Sequence, residues 1–462
     1  DTFNTIEDYK NQLFNVSVSN KSNKNEISNN DNSSVEVLAK EKYFREGKFV
    51  PPLLAEEILT KQPIVFTSGI LYYYDHGVYK PNAEMLIRKY ITNLLGTLFR
   101  KSHAAEIIYY IETVTYKQSD LVNTDHKYIN VKNGLLDWKT GQLKEHSPKI
   151  FTTIQLPVEY QKNANCPNVK KFISEIVPSD TIKMLIEWFG YSMIPDTRYE
   201  KALMLTGTGS NGKSKLIALF ERFIGINNIS NIPLQDLEHN RFKLAQLYGK
   251  LANTFADIPA NALEKSSVFK TIVSGDRTSA EFKGRDSFDF KPFARLMFSA
   301  NELPRSGDLT YGFFRRWLIV PFPHTFGKNG RAADENIMDK ITTDEELSGL
   351  LNLAIEGLKR LEQQGSFTIN ETTIAALEDY QREIDNVSTF IDEMCSIKES
   401  SRVTKRDIYC AYDRWCHDSG YKALGKIKFY KRLEGKVNLK IGRISSSAPQ
   451  HYSGIGLLEE YR

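Results

Sequence analysis

Cysteine is scarce in this chain: four in 462 residues, at positions 166, 395, 410 and 416. No pair falls at zinc-ligand spacing, and so few scattered thiols exclude a disulfide framework and fit a reducing cytoplasm. Cys416 beside His417 is a thin hint of metal, and all four thiols read as packing residues. No apolar run approaches the roughly 20 residues that a membrane helix needs. The opening DTFNTIEDYK lacks the basic and apolar stretches of a signal peptide. Secretion and membrane insertion are set aside, and a cytoplasmic location is expected. Charge of one sign is missing too, with 61 basic against 57 acidic residues and a net charge of +4. There are no internal repeats.

What the chain does have is length for about three domains of roughly 150 residues each. It also has the 41% hydrophobic and 26% charged content of a globular protein. Basic character gathers at one end: residues 391–462 hold 14 Lys or Arg and 9 Asp or Glu, which leaves the remainder near −1. An anionic partner is expected there. The first residue is Asp rather than Met, which predicts either a processed chain or a fragment, and whether a further domain lies upstream stays open.

Residues Asn15 to Ser34 include 13 Asn or Ser in 20 positions, too little apolar surface to offset the entropy of ordering. Residues 1–42 therefore read as a flexible segment or linker. The helix-like IEDYKNQLF before that stretch is a docking segment or the end of something upstream. Residues 43–195 mix helical spacing in LAEEILTKQ and AEMLIRKYITNLLGTLF with turn signals at His76-Gly77, Asn133-Gly134 and Thr140-Gly141, the pattern of an α+β domain. Residues 196–365 alternate β-type runs (ALMLTG, LANTFA, RLMFSA, RRWLIVPF) with helices, the sign of an α/β layer structure. Residues 366–462 give a helical connector, two further helices and two β-type runs, which suggests a winged-helix module.

The strongest local signal is Gly207-Thr208-Gly209-Ser210-Asn211-Gly212-Lys213-Ser214 between an apolar strand and an amphipathic helix. It fits G-x-x-x-x-G-K-[ST]. The glycines let amide hydrogens converge on phosphate oxygens, Lys213 adds charge at the β/γ-phosphates, and Ser214 offers a hydroxyl to Mg²⁺. An ATP site with Mg²⁺ is predicted. Hydrolysis also needs an acid at the tip of a neighbouring strand, and KLANTFADIP supplies Asp257 for metal or water. RLMFSANELP ends in Asn301, placed to sense the γ-phosphate, and GFFRRWLIVPF carries Arg315 and Arg316, either of which could be an arginine finger. Each has a plainer reading alone: a turn cap, a turn residue, a surface pair. The order of loop, acid, Asn and Arg is what speaks.

With these motifs in that order, the sequence resembles the superfamily 3 helicases. The similarity is to the primase–helicase replication proteins of phages, plasmids, poxviruses and mobile elements, including initiators of staphylococcal-type islands. It spans about Tyr43 to Arg462, with YFREGKFVPPLLAEEIL and INVKNGLLDWKTGQL resembling the family's preceding domain. The resemblance implies an AAA+ ATPase working as a homo-hexameric ring that moves 3′ to 5′ on DNA. Many members carry two adjacent acids where this chain has Ala256-Asp257, so whether Asp257 holds metal, activates water or does both stays open. In the family, a hairpin like SAEFKGRDSFDF points into the ring channel, which implies DNA contacts from Phe282, Lys283 and Arg285. Such groups grip phosphate and stack on bases without reading sequence.

Lys405 and Arg406, with Lys426, Lys428, Lys431 and Arg432, lie near two predicted helices. Of these, the last four could enter a major groove or simply be solvated. Asp120, Asp125 and His126 in SDLVNTDHKY read as an exposed loop rather than a two-metal primase centre. The leading expectation is a replicative DNA helicase acting on single-stranded and forked DNA, with a polymerase or single-strand-binding protein as possible partners. An origin-binding initiator or scaffold that recruits a separate helicase is the alternative. A small-molecule kinase is disfavoured by length and the lack of a lid.

Overall fold

The computed structural model describes residues 27–118, 123, 126–259, 263, 265–284, 286–327, 330–421, 423–443 and 449–458. The chain divides into two compact units. One runs through Tyr74 and again over Lys80–Lys117, and the other comprises Asp75–Tyr79 with Gln118–Arg462.

In the first unit, helices α1 (Ile27–Tyr43) and α2 (Pro51–Lys61) precede a hairpin of β1 (Ile64–Thr67) and β2 (Ile70–Asp75). Helices α3 (Ala83–Leu95) and α4 (Lys101–Val114) follow. Two prolines open α2, where a missing amide hydrogen breaks no helical bond. Ile87, Ile91 and Leu95 recur every fourth residue on α3 and join Leu54, Ile58, Ile107 and Ile111 in one core. Over residues 27–42 the expected flexible segment is helical, as part of α1. Its VEVLAKEKY end buries Ala39 and Tyr43, and a helix anchored at that end propagates backwards at little cost. The rest of the linker stretch and IEDYKNQLF lie outside the described residues.

The second unit begins with a meander of β3 (Tyr128–Val131), β4 (Gly134–Asp137) and β5 (Gln142–Lys144), then α5 (Pro167–Ile176) and α6 (Ile182–Tyr191). Ile129, Val131, Leu136 and Trp138 share a core with these helices and with the large sheet that follows. The segment 43–195, expected as one domain, thus parts near Lys117. Every residue from Met184 to Tyr191 is buried, including Glu187, whose carboxylate takes Arg360 and the Thr368 amide, so this stretch is covered on every side.

The large sheet is built from β6 (Ala202–Thr206), β7 (Ile229–Ser230), β8 (Ala252–Phe255), β11 (Arg295–Ala300) and β12 (Trp317–Pro321). It is fully parallel, in the order β7-β8-β11-β6-β12. The helix α7 (Lys213–Ile224) follows β6. Between β8 and β11 come α8 (Ser267–Ser274) and an antiparallel hairpin of β9 (Thr278–Glu281) and β10 (Ser287–Phe290). Side chains alternate across the sheet. Leu203 and Leu205 enter one core, while Ala202 and Met204 enter the other. Burial on both faces explains why the strands read as unbroken apolar runs. The two-residue β7 had no such run to announce it.

Helix α9 (Asp344–Gln364) crosses α6 at close range: a methyl on Gly190 would lie 2.3 Å from the Ala354 carbonyl oxygen. Its Glu346 accepts from the backbone amides of Asn168 and Val169, at 3.1 and 3.0 Å, so α9 caps the start of α5. Helix α10 (Glu371–Ile384) leads to the last part of the chain. There follow α11 (Asn386–Met394), β13 (Arg402–Thr404), α12 (Lys405–Asp418), α13 (Lys426–Lys436), β14 (Lys440–Gly442) and β15 (His451–Ser453), with a separate core built chiefly from the three helices and Tyr452. The three strands form an antiparallel sheet in the order β13-β15-β14. Cys166, Cys395 and Cys416 are buried and Cys410 is exposed. No helix among the described residues is long and apolar enough to cross a membrane.

Candidate nucleotide site and nucleic-acid surfaces

The loop from Gly207 to Gly212 joins the end of β6 to the start of α7. Gly207 sits at φ +156°, and a methyl there would fall 2.1 Å from the Asn211 amide nitrogen and 2.9 Å from the Phe322 carbonyl oxygen. Gly212, at φ +92°, has Ile176 at its back, 2.8 Å from where a methyl would sit. Both glycines are therefore demanded by close approach as well as by conformation. Thr208, Gly209 and Ser210 complete the turn, with Ser210 held at φ +48°.

Lys213 is buried, 4% exposed, and its ammonium donates to Gly207 O at 2.5 Å, Asn211 Oδ1 at 3.0 Å and Asn301 Oδ1 at 3.2 Å. Burial pushes its amine below the usual lysine range, an effect partly offset by the charge of Asp257. All three acceptors are neutral, and among the described residues no carboxylate lies within ion-pair distance of the cation. A polyphosphate in the loop would supply an anionic partner.

Sheet register aligns the other two residues. Ala300 pairs with Thr206, so Asn301 follows level with Gly207. Asp257 lies two residues beyond β8, and its amide donates to Ser299 Oγ at 3.0 Å. Its backbone adopts φ +52°, a left-handed conformation that aspartate and asparagine enter more readily than other non-glycine residues. Loop, acid and amide thus meet at the carboxyl ends of adjacent strands, where ligands of parallel α/β sheets bind. Ser214 and Asp257 are both exposed. A hydroxyl and a carboxylate are the oxygen donors that a hard divalent cation accepts. Ser299 escaped the sequence reading because a serine inside RLMFSA looks like part of an apolar run.

Arg315 and Arg316 stand apart from this site. Trp317 is level with Ala202 and Pro321 with Thr206, so the arginines enter at the opposite end of β6, about 15 Å along a strand rising roughly 3.3 Å per residue. Neither can serve the phosphate loop of its own chain. Both pair with Glu200, a residue no motif singled out.

The hairpin reaches its turn at Lys283-Gly284, with Lys283 exposed and Gly284 at φ +78°. Phe282 stacks on Phe288, centroids 4.8 Å apart and planes 11° from parallel, so its ring braces the hairpin. Arg285 lies outside the described residues. Lys428, Lys431 and Ile427 are exposed on α13, Ile427 by 85%. Lys426 lies 5.5 Å from the Tyr409 ring centroid. Arg432 instead turns inward, 3.9 Å from Asp385, which also takes Lys436 at 2.7 Å. Asp120 and Asp125 are outside the described residues. Among the described residues no group of three or more His, Cys, Asp or Glu could hold a metal.

Three family descriptions match in succession: "D5 N terminal like" over residues 53–178, a "Family of unknown function (DUF5906)" over 205–316, and "Poxvirus D5 protein-like" over 382–442. Among curated proteins, "Putative helicase L207/L206" of Acanthamoeba polyphaga mimivirus is 22% identical over 430 residues, covering 86% of this chain and 44% of the relative. "Putative helicase 121R" of Invertebrate iridescent virus 3 is 22% identical over 375 residues, covering 72% of this chain and 39% of the relative. The chain thus spans less than half the length of these relatives. Among solved structures, the apo NrS-1 C-terminal region (305-718) aligns with a TM-score of 0.52 at 14% identity, covering 88% of this chain and 99% of that one. That likeness is one of fold.

Proposed function

We propose that this chain belongs with the poxvirus D5-type primase–helicases, whose family descriptions match two of its segments, and is an ATP-driven DNA helicase motor acting in the replication of a virus, plasmid or mobile element. The observation that carries the reading is the meeting of Lys213, Asp257 and Asn301 at one end of a parallel sheet whose order inserts β11 between the loop strand and the acid strand. Helicase names and viral sources among the relatives support it.

In this reading ATP lies on the loop, its phosphates held by the amides from Thr208 to Ser214 and by Lys213. Ser214 and Asp257 would hold Mg²⁺, which neutralises phosphate charge when bound. Asn301 orients the attacking water through its amide, and Asp257 polarises it. The arginines, remote from their own loop, suit an assembly in which each subunit completes its neighbour's site, and we take this to be a homo-hexameric ring. Lys283 at the hairpin turn would grip one DNA strand, with 3′ to 5′ movement. The helices and antiparallel sheet of residues 386–453 have the succession of a winged helix, whose exposed Lys428 and Lys431 suit duplex DNA. The exposed face of α13 equally suits an origin-binding initiator.

The deciding experiment is ATP-dependent strand separation on a forked duplex with a 3′ tail, comparing the native chain with Lys213→Ala. Unwinding by the native chain alone supports the helicase. ATP turnover and DNA binding without strand separation would favour the initiator.

A further inference from the structure

Resting on that ring reading, we propose that Arg315 is the residue each subunit presents to its neighbour's phosphates, that Glu200 is its positioning residue, and that Arg316 is an internal anchor. Adjacent in sequence, the two arginines share Glu200, which lies 3.4 Å from Arg316, but differ in burial and in their other partners. The Arg316 side chain is 10% exposed. It donates to the Gly312 carbonyl and, at 2.7 Å, to Ser274 Oγ at the end of α8. Burial and the neighbouring charge of Arg315 push its guanidinium below the usual arginine range. A group so enclosed cannot reach another subunit without unmaking the turn that bears it.

Arg315 is 36% exposed, and its guanidinium donates to the Glu200 carboxylate. Glu200 is itself held firmly. Its backbone sits at φ +47°, and its amide donates to Thr197 O at 2.9 Å. The next residue, Lys201, donates through its ammonium to the backbone carbonyl of Arg315. The pair Glu200-Lys201 thus grips Arg315 at both its charged head and its backbone. Immediately beyond, the Ala202 amide donates to Arg316 O at 2.7 Å, where β6 and β12 begin to pair. A single half-exposed carboxylate fixes the direction of a long side chain, yet carries less charge than a triphosphate. It therefore orients Arg315 and can yield it to a neighbour's nucleotide.

The test is ATP turnover by the 462-residue chain, alone and in mixtures of two variants. Arg315→Ala keeps an intact phosphate loop and presents no arginine, while Lys213→Ala has the reverse defect. Arg315→Ala is expected to lose about a hundredfold or more in kcat. Glu200→Gln is expected to lose roughly tenfold, with Glu200→Asp recovering part and KM for ATP nearly unchanged. Adding the Lys213→Ala chain restores turnover to both, because mixed rings join an intact loop to an intact Arg315–Glu200 pair. Arg316→Lys instead lowers the melting temperature, which Arg315→Ala leaves nearly unchanged. Full turnover by Arg315→Ala, or a Glu200→Gln defect that mixing leaves in place, overturns the assignment alone. A wild-type chain without ATP turnover overturns the motor reading itself, and this inference with it.

Discussion

Lys213 and Asn301 are 88 residues apart in the chain, and their side chains meet at 3.2 Å. The contact exists because β11 and β6 are neighbours in register, so the residue after one strand faces the loop after the other. A lysine at the loop and an amide at the strand end then bracket the place where a γ-phosphate would sit.

Asn301→Ala removes an exposed amide outside the core that accepts from Lys213. We expect kcat for ATP to fall by roughly 10- to 100-fold, while nucleotide affinity changes little. Steady-state turnover alongside binding of a fluorescent nucleotide checks this. Equal losses in affinity and turnover would instead mark Asn301 as a ligand of the ground state.

Asp308 accepts from Lys270 at 2.7 Å and caps the turn before the arginines through the Thr310 amide at 3.0 Å. Burial pushes its carboxyl up, but hydrogen bonds from Lys270, Ser266 and Thr310 together hold it well below the usual range. A depressed carboxyl stabilises the fold above its unfolded value, about 3.9, and loses that contribution as pH falls towards the folded value. Asp308→Asn is therefore expected to cost about 2 kcal/mol at pH 7. Thermal unfolding against pH should show a constant gap from wild type between about pH 8 and 5, narrowing below about pH 4.

In the hairpin Lys283 is exposed while Phe282 stacks on Phe288, so variants of the two test a DNA contact apart from a structural one. Lys283→Ala should weaken single-strand binding uniformly across sequences and lower the salt dependence by about one counterion per subunit. Phe282→Ala breaks the stack on Phe288 and should loosen the hairpin, seen as faster amide exchange over 278–290. Unchanged salt dependence in Lys283→Ala would remove the hairpin from the DNA path.

On α13 the structure divides residues that the sequence grouped. The double variant Lys428→Ala, Lys431→Ala is expected to lose about tenfold or more in duplex affinity at moderate salt with its fold intact. Arg432→Ala should leave affinity nearly unchanged and lower the melting temperature, since it frees Asp385 of one partner. Fluorescence anisotropy and thermal unfolding read the two effects apart.

The sequence alone determined the parts whose chemistry is local. The phosphate loop needs its glycines and lysine within eight consecutive residues, and a strand buried on both faces must be written as an apolar run. Thus ALMLTG, LANTFA, RLMFSA and RRWLIVPF were legible, as were Asp257 and Asn301 at their ends. Tertiary structure decided everything that depends on who stands beside whom. Strand order brought Asn301 to Lys213, and register carried Arg315 and Arg316 to the far end from their own loop. Packing turned Phe282 onto Phe288 and Arg432 onto Asp385, and gave two adjacent arginines opposite exposures. Glu200 had no motif to announce it, because a carboxylate's role is set by the charge that folding places against it. The division near Lys117 was invisible for the same reason: a core is defined by which apolar faces meet, and composition records only that such faces exist.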